Sequence, residues 1–378
     1  NTIIRLMHTQ MEKSDGEIPK DAREWMDSFA ATQWAERHAS FTVHDRDSWE
    51  HDPVTLSLNC WPGELAWYWV QRIQYRKAYD SSDWSGFSEA ESTALSQFAQ
   101  AKGDLAFVTH PPLLFNVNLL HALDSSFIEK IIPQMLQTDD TVTVWKIITQ
   151  YHIQPNLRLM RLFFFDSLYS VLKKRLDTDP TFVRGLMHIT LRALNASDLT
   201  KAEKQALLRA VVNEPSHTAK ITLIDCMITQ FADCDQITRD LAWEIWLRDY
   251  IDSRSRNIGT QWNNEERIQF SRLIPMMGNH IDEATQVLAN RLPDYSDTEP
   301  YLIHQMFDVD VHISAMDEDN IKALLSFYSQ LIRIPSIRNE ISPREISQLL
   351  AHLKDAAAYS EYSELVQSAK DYDLYDLE

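Results

Sequence analysis

Apolar residues recur at intervals of three and four along most of this chain. Ile321, Leu324, Leu325, Tyr328, Leu331 and Ile332 form one stripe, the mark of a helix with a single buried face. Leu157, Met160, Phe164, Leu168, Val171 and Leu172 repeat the pattern. There Leu159, Leu162, Phe163, Phe165 and Tyr169 widen the stripe to most of the circumference, as in a helix buried between neighbours. Start signals agree with the periodicity. "TKAE", Thr200 to Glu203, and "SPRE", Ser342 to Glu345, are capping boxes, and Pro343 stands where a missing N–H costs nothing. Asp179-Pro180 opens another helix in the same way.

The periodicity dominates from Trp61 onward. Between Thr141 and Asn257 it resolves into short-looped pairs: 141–152 with 155–175, 180–194 with 200–212, and 216–232 with 235–256. A pair every ~40 residues is the spacing of armadillo and HEAT repeats, although no consensus recurs. The expected fold is therefore all-α, an irregular helical-repeat (HEAT/armadillo-like) solenoid with a less regular N-terminal region. In that region "VTLSLN" reads as a short strand or extended loop, and "YDSSDWSGFS" as a linker with turn chemistry. The closing "KDYDLYDLE" reads as a solvated acidic tail or a docking peptide. The divisions expected are an N-terminal helical or irregular region (1–80), a linker and helical region (81–140), paired helices (141–257), a C-terminal helical domain (258–370) and the tail (371–378).

Composition narrows the chemistry. With 44% hydrophobic residues the chain can bury a large core. A formal charge of −19 confines any nucleic-acid contact to a local basic patch and favours protein partners. Cys60, Cys226 and Cys234 form no C-x-x-C pair, which points to a reducing compartment, the cytoplasm, without a disulfide framework. No apolar run is long enough to span a bilayer, so no membrane association is expected. Glu12, Lys13 and Asp15 follow the first short apolar stretch, unlike a secretion signal. The chain opens on Asn1 rather than Met, which leaves room for residues upstream. Seven scattered glycines make neither a P-loop nor a dinucleotide-binding turn, and no cofactor is expected.

The densest polar cluster is "HDRDSWEHD". His44, Asp45, His51 and Asp52 are ligand types that divalent metals use, and Asp47 and Glu50 lie between them. His110, His121 and His152 are the candidate distant ligands of a metal-dependent hydrolase or nuclease. The alternative is a hydrated acidic loop. "DVDVH" would place Asp308, Asp310 and His312 on one face of an extended strand, or is a plain connector. No G-x-S-x-G is present, and Cys226 and Cys234 fit apolar packing better than catalysis.

"DLAWEIWLRDYIDSRSRN" poses the same choice. Trp243, Trp246 and Tyr250 share one helical face with Leu247 and Ile251, among Arg248, Arg254 and Arg256. Exposed, they would make a stacking platform with cations for nucleic acid. Packed, they would join one helix to its neighbours while Arg248 and Arg254 reach outward. The packed reading is the expected one.

Three segments of this region, "WEIWLRDYIDSR", "NNEERIQFSRLIPMM" and "IDEATQVLANRLPD", resemble a bacterial domain of unknown function. That domain lies C-terminal to sirtuin-like domains in anti-phage defence proteins. Trp246, Leu247, Tyr250, Arg254, Glu265, Glu283, Ala284 and Pro293 match its pattern. Ile251 departs from an expected second aromatic, and Ile281-Asp282 from an aromatic-proline pair. The resemblance spans 241–371 and implies a helical regulatory or sensing part, with NAD-consuming chemistry lying upstream. No catalytic residue carries over. The reading expected is a non-catalytic scaffold or sensor module whose partner is a defence-system subunit or a phage protein.

Overall fold

The computed structural model describes residues 2–13, 18–44, 52–79, 84–136, 141–173, 179–196, 199–213, 217–288, 292–307, 316–357 and 359–374. Among them every regular element is a helix, so the fold is all-α. No helix of the described residues is long and apolar enough to cross a membrane. The chain divides into two compact units, 1–171 and 172–378.

The first unit is organised around the helix Trp61–Tyr79, which is buried without a break from Trp61 to Val70. Thr2–Lys13, Pro53–Asn59, Glu89–Ala99 and Asp104–Phe115 all pack on it. Gly63 permits the approach of Pro53–Asn59: a Cβ there would lie 2.1 Å from the Ser57 carbonyl oxygen. Lys20–Arg37 is tied to the same helix through Asp27, which accepts from Tyr68 Oη at 2.6 Å and pairs with Arg72 at 3.2 Å. "VTLSLN" is neither strand nor loop. It is the helix Pro53–Asn59, with Asp52 capping Thr55 N at 2.9 Å and Pro53 in the first turn. Of the expected linker, residues 80–83 lie outside the described ones; beyond them Trp84 Nε1 donates to the Leu123 carbonyl at 3.2 Å, and the Arg76 guanidinium lies 4.2 Å from the Trp84 ring centre.

In the second unit, helices alternate between two rows. The first row runs Pro180–Asn195, His217–Ala232, Asn264–Leu273, Pro300–Phe307 and Pro343–His352, each packed on the next. The second runs Lys201–Val212, the helix 236–255, Ile281–Leu288, Glu318–Arg333 and Ser360–Asp371, again each on the next. Of the helix pairs expected, Pro180–Asn195 packs on Lys201–Val212. Both capping boxes form, with Thr200 Oγ1 accepting from Glu203 N and Ser342 Oγ from Glu345 N, each at 3.3 Å. In the segment read as a solvated acidic tail or a docking peptide, residues 371–373 are exposed, and Leu374 is buried and donates its N–H to Ala369 O at 2.8 Å. Its last residues lie outside the described ones.

Candidate functional site

The helix 236–255 carries the aromatic and basic residues singled out by the sequence. Asp235 caps it, accepting from Thr238 N at 2.9 Å. A five-residue π segment, Trp243–Leu247, interrupts it. The wider turn brings Trp243, Trp246 and Leu247 to the buried side together, and Tyr250 follows. Trp246 is 1% exposed and donates Nε1 to Asn195 Oδ1 at 2.8 Å. Trp243 is 3% exposed, lies over the His280 ring at 5.3 Å and donates to Glu283 Oε2 at 3.3 Å. These rings are a seam between helices, reaching Asn195 of the first row and Glu283 of the second, and a base has no access to stack on them.

Arg254 does not reach outward. It stands one and two turns beyond Tyr250 and Trp246 on the same face and is 1% exposed. Its Nε lies 2.5 Å from Glu266 Oε1 and its Nη2 2.8 Å from Oε2, a bidentate pair with Glu266 fully buried. The remaining donors take the carbonyls of Ile258 at 2.8 Å, Thr260 at 2.9 Å and Gln261 at 3.3 Å. Lys220 Nζ, also buried, meets Thr260 Oγ1 at 2.8 Å. Arg254 therefore folds the loop 256–263 around itself. Gly259 in that loop has φ +84°, and a Cβ there would press on the Val212 carbonyl. Burial, with the Glu266 charge, pushes the Tyr250 phenol well above its ordinary value. Arg248 pairs with Glu283 at 3.1 Å and Arg256 with Asp252 at 2.9 Å, both at the surface. The local basic patch is thus one buried structural arginine and two exposed ones with carboxylate partners.

Of the histidine-aspartate cluster, His44 and Asp52 belong to the described residues, and Asp45 and His51 lie outside them. Asp308, Asp310 and His312 lie outside as well. Asp52 has a structural post: besides capping its helix it accepts a hydrogen bond from Tyr151 Oη. Burial works to raise its pKa, but the hydrogen bonds from Thr55 and Tyr151 prevail and hold it below the ordinary carboxylate value. Of the distant histidines, His152 is exposed and the other two are engaged elsewhere. His110 is buried and pushed down to about 4, hence neutral, while His121 faces Glu129 at 3.2 Å and Asn156 at 3.3 Å. Among the described residues no group of three or more His, Cys, Asp or Glu side chains is placed to hold a metal. Cys60 and Cys226 have thiols pushed up to about 12 by burial, the reverse of an activated nucleophile.

Large apolar side chains also stand exposed. Ile237 is 69% and Leu241 50% exposed, one turn apart on the solvent side of the same helix, before the π segment. On the first unit Ile3 and Leu6 form a similar pair on Thr2–Lys13. A cleft of about 410 Å³ opens between Ile281–Leu288 and Glu318–Arg333, with Leu288, Leu292 and Phe327 beside Asp282, Asp319 and Lys322. Sequence reasoning missed Glu266, Lys220 and Arg272. The first had a legible signal, an acidic residue following a capping Asn263 one loop beyond Arg254. No family model, curated protein or solved structure matches this chain.

Proposed function

We propose that the chain is a non-catalytic helical scaffold or sensor module, a HEAT/armadillo-like solenoid in its second unit, that binds a protein partner in a bacterial anti-phage defence system. The observation that carries the reading is the division of labour on the helix 236–255. Its aromatic rings and Arg254 are spent on packing, whereas Ile237 and Leu241 stand in solvent one turn apart. Two large aliphatics on a well-capped helix are the anchors that a groove on another protein takes up. A single exposed leucine would need no explanation. Helices stacked in two nearest-neighbour rows supply the extended surface that repeat scaffolds use. The defence setting rests on the resemblance of 241–371. Its matched positions Trp246, Leu247, Tyr250, Arg254 and Ala284 are core residues, as a fold-defining motif requires.

The test is affinity purification of the full chain from phage-infected bacteria, beside the Ile237→Asp/Leu241→Asp variant. The reading expects a protein that co-purifies with the wild type, recaptures the chain reciprocally and is lost with the variant at unchanged helicity. A partner retained equally by both, or none at all, overturns it.

A further inference from the structure

The second unit buries two arginines and treats them differently. Arg254 owns a carboxylate and has its donors engaged. Arg272, on the first-row helix Asn264–Leu273, is 4% exposed and has no carboxylate to itself. Its Nη1 is 3.5 Å from Asp225 Oδ1, and the other oxygen of that carboxylate is 3.3 Å from Arg184 Nη2. Its closer acceptors are neutral: Nη1 donates to the amide oxygen of Gln269 and Nη2 to that of Gln305. Its Nε has no acceptor. Asp225 is the carboxylate whose negative charge reaches it. Two guanidiniums therefore share one carboxylate, in a chain whose net charge is −19.

A buried cation held by amide oxygens is incompletely compensated, because an amide dipole replaces only part of the hydration that burial removes. A guanidinium gains most from a planar or tetrahedral oxyanion that takes two of its N–H groups at once. The way in is open on one side. Gln305 is an exposed residue whose side chain can swing outward, Tyr301 is 54% exposed, and the Arg184 side chain is 53% exposed. All of these groups lie on four successive helices of the first row.

We propose that Arg272 and Arg184 form a binding site for an oxyanion, a phosphate or carboxylate group, in which the ligand takes the place now held by the Gln305 amide oxygen. Gln269 and Tyr301 wall the site, and Asp225 holds the two guanidiniums side by side. An ion seated there bridges successive helices of the first row, so occupancy stiffens the row.

The experiment uses the full chain in thermal unfolding and titration calorimetry. Sodium phosphate, pyrophosphate and glutamate are each compared with sodium chloride at matched ionic strength. A saturable rise in the unfolding midpoint with phosphate or pyrophosphate assigns a phosphate group, and one with glutamate alone assigns a carboxylate. Arg184→Ala weakens binding by roughly tenfold or more, the worth of one charge-assisted pair, while Arg248→Ala leaves it unchanged. Gln305→Glu gives Arg272 a carboxylate of the chain's own; it raises the midpoint without ligand and removes the response to added anion. The proposal is overturned if no anion differs from chloride, or if Arg184→Ala and Gln305→Glu respond as the wild type does. The latter outcome is what a general salting effect of phosphate produces.

Discussion

Arg254→Met removes a guanidinium from the interior of the second unit while keeping most of its volume. Glu266 is then a fully buried carboxylate with its two strongest donors gone. Stranding one partner of a buried ion pair costs about 3–5 kcal/mol. The carbonyls of Ile258, Thr260 and Gln261 lose a donor too, but a loop can turn toward water, which adds ~1 kcal/mol. The expected loss is about 4–6 kcal/mol, a large part of the stability of an ordinary domain. Arg254→Met/Glu266→Leu leaves no stranded charge and loses about 1–3 kcal/mol, so the double variant is more stable than the single one. Urea unfolding followed by circular dichroism measures both, with the slope of the transition checked for constancy. A solvent-facing arginine would give a change within about 0.5 kcal/mol. A loss of that size, or a double variant no better than the single, refutes the assignment of Arg254 to the core.

Other expectations are more local. Burial raises the pKa of Glu64, with Arg5 opposing, so the folded state holds this proton more tightly than the unfolded one. Its contribution to stability is fully present below its ordinary value of 4.5 and is lost as pH rises through the folded value; Glu64→Gln flattens that part of the stability profile in denaturation at stepped pH. Thr200→Ala removes the hydroxyl half of a formed capping box and lowers stability by ~1 kcal/mol in the same urea assay. Cys226, 0% exposed with its thiol at about 12, reacts with Ellman's reagent only as the unit unfolds, and Cys234 reacts sooner.

Helix existence was legible wherever caps and periodicity coincided, as at Asp179-Pro180, Thr200 and Ser342. It failed where they conflicted. Val54, Leu56 and Leu58 alternate as in a strand, yet Asp52 and Pro53 cap and start a helix, and Leu58 is left 39% exposed. Local capping outweighed a period-two pattern only three apolar residues long. The burial of Arg254 was hidden by residue type but written in spacing, since 246, 250 and 254 fall on one face. Reading charge as exposure obscured it, and only a partner such as Glu266 makes a buried guanidinium tolerable. The Arg272 cluster had no sequence signal at all. Arg184, Asp225, Arg272 and Gln305 are brought together by the stacking of one row, and nothing local marks them as neighbours.

Hydrogen–deuterium exchange of the full chain, read peptide by peptide, tests most directly whether the aromatic and arginine helix is interior rather than recognition surface. The account predicts that peptides covering Trp243 to Arg254 and the Glu266 helix are among the last in the second unit to exchange, protected together by the rings and the ion pair. Rapid exchange through 243–254, with the neighbouring helices still protected, contradicts it.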